Sequence, residues 1–258
     1  MKAVILAGGY GTRMAEETMT RPKPMVEIGG MPILWHIMKI YSAHGIHDFV
    51  ICCGYKGQMI KEYFANYYLY NSDVTLDLST NKTTIHHHTV EPWRVTLVDT
   101  GENSGTGGRL KRVADYIGNA PFCFTYGDGV GNVDISRSIA FHREQKGLAT
   151  MTAVQPPGRY GSFHIAANQN RIASFREKPQ GDNAWVNGGF FVLEPGVLDY
   201  IQDDATFWEA SPLEQLAQDG QLVVYKHDGF WHCMDHLKDK MDLDQMWTEG
   251  RAPWKVWT

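Results

Sequence analysis

The first thirteen residues restrict the fold of this chain more than any other stretch. Ala3 to Ala7 is an unbroken apolar run, Ala-Val-Ile-Leu-Ala, the pattern of a parallel strand covered on both faces. It leads directly into Gly8-Gly9-Tyr10-Gly11-Thr12-Arg13. Glycines at a strand end let the backbone turn sharply and come close to a ligand, with no Cβ in the way. Successive N–H groups in such a loop point inward and cradle an anion. Thr12 adds a hydroxyl and Arg13 a planar cation, and Lys23, between Pro22 and Pro24, adds a point charge. This chemistry suits a nucleoside triphosphate.

Two common phosphate loops do not fit. A dinucleotide-binding loop of the form Gly-x-Gly-x-x-Gly would need glycine where Met14 stands. A loop ending in Gly-Lys-Ser/Thr is excluded because Gly-Lys occurs nowhere in the chain. Composition narrows the class further. A net charge of −5 over 258 residues argues against a nucleic-acid binder, which would carry a basic face. No apolar run approaches the ~20 residues of a membrane span. The N-terminus reads as a strand and not as a secretion leader. Cys52, Cys53, Cys123 and Cys233 form no Cys-x-x-Cys, so they read as reduced, buried thiols of a cytoplasmic protein.

Along the chain, helix spacing over Pro32–His44, a short apolar strand over Asp48–Cys53 and a helix over Gly57–Leu69 follow the loop. This β-loop-α-β-α order favours a parallel sheet with crossover helices. Val74–Leu78 and Thr83–Thr89 read as a hairpin about Asn81-Lys82, inserted into that core. Strands are predicted at Val95–Asp99, Phe122–Tyr126, Ala149–Val154, Val186–Leu193 and Gln221–Lys226. Helices are predicted at Gly107–Ile117, Ile135–Gln145, Pro212–Gln218 and Leu237–Trp247, with another beginning at Pro195. Tyr160–Ile165 and Arg171–Phe175 read as short antiparallel strands about Asn168-Gln169-Asn170. The expected fold is α/β: a Rossmann-like, mostly parallel sheet flanked by helices, with an inserted β-hairpin and a small antiparallel elaboration. It forms a single domain, in which residues 1–155 would bind nucleotide and 156–258 the second substrate.

Gly127-Asp128-Gly129 ends a predicted parallel strand, where ligands of open α/β sheets bind. Asp235 follows the apolar segment Trp231–Met234 at a helix start. Mg²⁺ is usually held by one or two carboxylates with phosphate oxygens and water. The residues alone also allow a turn aspartate at 128 and an N-cap at 235. Lys178, in Glu177-Lys178-Pro179, could present its ammonium to a phosphate, and the Asn187 amide could bond sugar hydroxyls beside Gly188. Thr106-Gly107-Gly108-Arg109 reads as a glycine turn into a basic helix, whose N-terminal N–H groups attract phosphate. His86-His87-His88 could offer at most two ligands on one strand face, and reads as a polar hairpin. Trp247, Trp254 and Trp257 read as packing or subunit contacts.

Gly-Gly-x-Gly-Thr-Arg followed by Pro-Lys-Pro resembles the sugar-1-phosphate nucleotidylyltransferases. Pro-Lys-Pro-Met, Glu91-Pro92-Trp93, Thr100-Gly101 and Pro157-Gly158-Arg159-Tyr160-Gly161 are most similar to the branch that couples CTP to glucose 1-phosphate. The resemblance spans essentially the whole chain. It implies Mg²⁺ on Asp128 and Asp235, with Arg13, Lys23 and Lys178 as catalytic cations. It implies nucleotide contacts from Leu6, Ala7, Gly8, Gly9, Gly11, Thr12, Arg13, Lys23, Ser104, Thr106, Arg109, Gly127 and Asp128. Tyr126, Glu177, Lys178, Asn187 and Gly188 would line the sugar-phosphate pocket. The products would be CDP-D-glucose and pyrophosphate, made by a cytoplasmic homo-oligomer active in sugar-nucleotide and O-antigen biosynthesis. The rivals are the same chemistry with UTP, dTTP or another sugar or polyol phosphate, and an inactive regulatory protein that binds sugar nucleotide.

Overall fold

The computed structural model describes residues 1–156, 162–165, 172–176 and 185–258. Among them, seven strands form the central sheet. In chain order these are β1 (Lys2–Ala7), β2 (Asp48–Cys53), β3 (Arg94–Asp99), β4 (Phe122–Tyr126), β5 (Ala149–Val154), β6 (Val186–Leu193) and β7 (Leu222–His227). They lie in the order β7-β5-β6-β4-β1-β2-β3. Neighbours run parallel except where β6 meets β5 and β4. The expected α/β class is therefore what the chain adopts.

Six main helices cover the sheet: α1 (Ile33–Ala43), α2 (Gly57–Tyr70), α3 (Thr106–Arg112), α4 (Ile135–Gln145), α5 (Ser211–Gln218) and α6 (Leu237–Thr248). The two-residue period of β1 explains why both faces need covering. Ala3, Ile5 and Ala7 join a core built with Ile33, Ile37, Met38, Tyr41 and Leu243. Val4 and Leu6 point the other way, into a core built with Leu110, Ile117, Trp208 and Leu216. Cys52 and Cys53 divide between the same two cores, and all four cysteines are free thiols. No helix among the described residues is long and apolar enough to cross a membrane.

The helix expected over Gly107–Ile117 is two helices, because the last turn of α3 tightens. Val113 N–H bonds the Leu110 carbonyl three residues back at 3.3 Å, and a second short helix follows at Ala114–Ile117. The segment from Pro195 is a 3₁₀ turn to Tyr200. Ser72–Asp77 pairs with Lys82–His88, the expected hairpin. His86 lies in it exposed, its Nε2 2.9 Å from Thr75 Oγ1. Ser162–Ile165 pairs antiparallel with Ile172–Arg176; the Asn168–Asn170 turn lies outside the described residues. Two short pairings have no counterpart in the sequence reading: Glu27–Ile28 with Met31–Pro32, and Gly129–Gly131 with Trp231–Cys233.

The C-terminal tryptophans pack around a buried histidine. The His36 ring lies 4.6 Å from Trp247 and 6.2 Å from both Trp254 and Trp257, centroid to centroid. Trp254 Nε1–H donates to His36 Nδ1 at 3.4 Å, so the proton sits on Nε2, which donates to the Ile28 carbonyl at 2.8 Å. Burial pushes His36 down from 6.5 to about 4, against the pull of backbone hydrogen bonds at Ile28 and Met31. The folded value lies below the unfolded one, so the unfolded chain takes up the proton first as pH falls. The contribution is complete above about pH 6.5 and is lost as pH falls towards about 4, by about 3 kcal/mol in all. Denaturant unfolding at pH 7.5 and pH 4.5 should show this loss in the wild type and a smaller loss in His36→Gln. Equal losses would place the acid sensitivity elsewhere.

Candidate active site

The site forms where strand ends meet. β1 stops at Ala7 and the chain turns through Gly8–Gly11 into a 3₁₀ turn at Thr12–Met14. Gly11 has φ 64°, and a Cβ there would meet Thr18 Cγ2 at 2.7 Å, so a side chain is excluded on both counts. A second 3₁₀ turn, Lys23–Met25, brings Lys23 back beneath this loop. β4 is the neighbour of β1, and it ends at Tyr126, just before Gly127 and Asp128.

Asp235 arrives from more than a hundred residues further on. The pairing of Gly129–Gly131 with Trp231–Cys233 sets Cys233 opposite Gly129, and Met234 N–H donates to the Asp128 carbonyl at 2.8 Å. Asp239 then accepts from the N–H groups of Asp235 and His236 at 2.9 and 2.7 Å, fixing the start of α6.

The carboxylates share one cation. Lys23 Nζ lies 2.7 Å from Asp128 Oδ2 and 2.9 Å from Asp235 Oδ1, and Arg13 reaches the other oxygen of Asp235 at 2.8 Å. Burial alone would lower the Lys23 ammonium, but the charge and hydrogen bonds of Asp128 and Asp235 outweigh it and hold it above the ordinary lysine range. Burial likewise opposes ionisation of Asp235, and Lys23 with Arg13 overrides it and keeps that carboxyl below its ordinary value. Donor atoms of Asp128, Cys233 and Asp235 all lie within 4.8 Å of one another. The Cys233 thiol is pushed up, first by burial and then by the charge of Asp128. It is thus kept neutral, which leaves two hard oxygen donors of the kind Mg²⁺ prefers.

A cavity of about 520 Å³ opens over this cluster. Of the residues expected to bind ligand, Leu6, Ala7, Gly9, Gly11, Thr12, Arg13, Lys23, Thr106, Tyr126, Gly127, Asp128, Asn187, Gly188 and Asp235 line it. Gly8, Ser104 and Arg109 are not among the lining residues. Glu177 and Lys178 lie outside the described residues. The lining also holds Glu209, Trp231 and Cys233, which the sequence reading did not assign to ligand binding. Strand alternation over Trp231–Cys233 is the signal that could have found two of them. No local motif marks Glu209.

A model of the nucleotidyl transferase family matches residues 2–234. The chain belongs to the nucleotidyl transferase family. It is 61% identical to a glucose-1-phosphate cytidylyltransferase of Salmonella typhimurium (strain LT2) over 258 residues, 100% of both chains. It is 43% identical, again over 100% of both, to a probable glucose-1-phosphate cytidylyltransferase of Bacillus subtilis (strain 168). In fold it is similar to HddC from Yersinia pseudotuberculosis, with TM-score 0.69 and 23% identity over 95% of this chain and 99% of that one.

In this nucleotidyl transferase, Arg109 is turned inward. It is 4% exposed, and a Cβ on Gly8 would meet its Nη1 at 2.1 Å. The guanidinium donates to Thr100 Oγ1 at 2.9 Å and to the Gly101 and Glu102 carbonyls at 2.6 and 2.9 Å. Its bonds therefore tie α3 to the segment after β3, and the guanidinium packs directly against Gly8 of the phosphate loop. Arg109→Ala strands the buried Thr100 hydroxyl and the part-buried carbonyls of Gly101 and Glu102, and should lower unfolding stability by about 3 kcal/mol. Arg109→Lys should recover only part of it, since an ammonium cannot reproduce the planar fork. Unchanged stability in Arg109→Ala, measured by urea unfolding, would refute the brace.

Proposed function

We propose that this enzyme transfers a cytidylyl group from CTP to α-D-glucose 1-phosphate, giving CDP-D-glucose and pyrophosphate. The observation that carries the reading is the full-length 61% identity to the Salmonella relative. The Lys23–Asp128–Asp235 cluster beside the glycine loop supports it.

The chemistry is one displacement. A phosphate oxygen of glucose 1-phosphate attacks the α-phosphorus of CTP, the new P–O bond forms, and the bond to the β-phosphate oxygen breaks. The attacking phosphate is already largely a dianion near neutral pH, given a second pKa of ~6, so no general base is required. The chain supplies positioning and charge neutralisation. Loop N–H groups and Thr12 hold the triphosphate, and Arg13 and Lys23 neutralise it and the departing pyrophosphate. Lys178 aligns the incoming phosphate, and Asn187 with Tyr126 faces the sugar. Asp128 and Asp235 would hold Mg²⁺, which when bound supplies further neutralisation of phosphate charge. Cytosine presents an amino donor where uracil presents an acceptor, so a backbone carbonyl facing the base separates the two.

We further propose that the enzyme works in the cytoplasm as a homo-oligomer. The inserted hairpin supports the second point: it is exposed along all of Lys82–His88 and at Asp73 and Thr75–Asp77, with Leu76 54% and Ile85 44% exposed, and an isolated two-stranded hairpin is marginal in water.

Pyrophosphate release measured across CTP, UTP, dTTP and GTP with several sugar phosphates tests the assignment. CTP with glucose 1-phosphate should exceed UTP by ~10- to 100-fold in kcat/KM, the cost of an unpaired buried acceptor. A preference for another nucleotide would defeat the cytidylyl assignment. Asp128→Asn and Asp235→Asn should each lower turnover by ~10²-fold or more while folding normally. Near-wild-type turnover at limiting Mg²⁺ in either variant would remove that residue from the metal site.

A further inference from the structure

A second polar network lines the same cavity and has no part in the phosphate chemistry. At its centre is Glu209, carried just before α5. Thr106 Oγ1–H donates to Glu209 Oε2 at 2.6 Å, and the same hydroxyl accepts from Trp208 N–H at 2.8 Å. The threonine is thereby fixed as a donor to the carboxylate. Beside it, Asn187 Nδ2–H donates to the Tyr126 hydroxyl at 3.3 Å, and Asn187 Oδ1 accepts from Gly189 N–H at 2.8 Å. Burial, followed by the charge of Glu209 and a hydrogen bond to it, holds the Tyr126 phenol well above its ordinary value. Tyr126 is therefore a neutral donor next to an acceptor-only carboxylate.

Unlike Asp128 and Asp235, which share the cavity with Lys23 and Arg13, Glu209 pairs with no cation among the described residues. It repels phosphates, and it attracts groups that donate. An ionised carboxylate offers about four lone-pair sites, and the hydroxyls of Thr106 and Tyr126 take two. The remaining sites suit two neighbouring hydroxyls, which can each donate to it. Trp231 completes the setting. Its indole N–H is committed to the Gly188 carbonyl at 2.7 Å, which fixes the orientation of an aromatic side chain in the lining. An aromatic face and a carboxylate together match the apolar and hydroxylated faces of a sugar ring.

We infer that Glu209 is a specificity residue that accepts hydrogen bonds from a hydroxyl pair on a bound sugar, with Tyr126, Thr106 and Asn187 holding it in place. This rests on the transfer reading above. Two substrates of that reaction carry such hydroxyls: the hexose of the sugar phosphate and the ribose of the nucleotide. The carboxylate rejects an analogue that lacks the hydroxyl because its lone pairs are then left unpaired.

The test compares wild type with Glu209→Gln and Glu209→Asp by pyrophosphate release. One arm takes the kcat/KM ratio of glucose 1-phosphate to its 2-deoxy, 3-deoxy and 6-deoxy analogues. The other takes the ratio of CTP to dCTP. In the wild type, at least one ratio should be ~10-fold or more, the scale on which a missing hydrogen bond is felt. In Glu209→Gln that ratio should fall to about 3 or less, with KM for the same substrate raised and kcat little changed. Collapse in the hexose arm assigns Glu209 to the sugar phosphate; collapse in the CTP arm assigns it to the ribose. A merely structural Glu209 would lower activity in both variants and leave every ratio as in the wild type, and that result overturns the inference. If Glu209→Gln does not fold, Glu209→Asp gives the same comparison, since its shorter carboxylate should change the ratios. A wild type that makes no pyrophosphate from any pair defeats the transfer reading itself, a result distinct from unchanged ratios in an active enzyme.

Discussion

The Lys23 ammonium, placed between Asp128 and Asp235, is the interaction on which the rest of the site depends. Two carboxylates brought this close repel each other unless a cation lies between them. Lys23 is 12% exposed at its side chain and the aspartates 27% and 22%, so water screens the contacts less than it screens a surface ion pair. The cluster also joins three remote segments: the turn after the phosphate loop, the end of β4, and the chain entering α6. Its charges are in place before substrate arrives, which is what makes electrostatic stabilisation effective in a site of this kind.

The sheet explains why those segments can meet. β1 and β4 are parallel neighbours, so the glycine loop and Asp128 leave the sheet at the same edge. β6 runs the other way beside β4 and β5. Its beginning, at Asn187 and Gly188, therefore lies by the ends of its neighbours and faces the same cavity. One reversed strand thus brings a sugar-facing wall to a phosphate-binding edge.

Much of this was legible in the sequence. The apolar run into three glycines marks β1 and its loop, and the clear apolar patterns of Ala149–Val154 and Val186–Leu193 carry the same bounds as the strands themselves. The carboxylates were legible because each follows an apolar segment that ends at a turn. What stayed hidden was tertiary. The pairing that joins Asp128 to Asp235 is three residues long on each strand, too short to leave a period. Arg109 sits in a basic helix start, which suggests a ligand contact; only its burial and its bonds to Thr100, Gly101 and Glu102 show that it ties α3 to the segment after β3, behind Gly8. Glu209 has no motif around it, and its place in the cavity follows from contacts with residues about a hundred positions away.

If Lys23 is the internal counter-ion of a cation site, a divalent ion and the lysine must compete for the same carboxylate oxygens. Mn²⁺ binding to the protein without nucleotide, followed by electron paramagnetic resonance or calorimetry, measures that competition directly. In Lys23→Met the ion no longer has to displace charge-assisted hydrogen bonds worth ~1.5–3 kcal/mol. Its affinity should rise about tenfold or more, and adding Asp235→Asn to that variant should abolish the gain. Affinity that is unchanged or weaker in Lys23→Met would contradict the account, because it would mean that Asp128 and Asp235 do not form the cation site that Lys23 occupies.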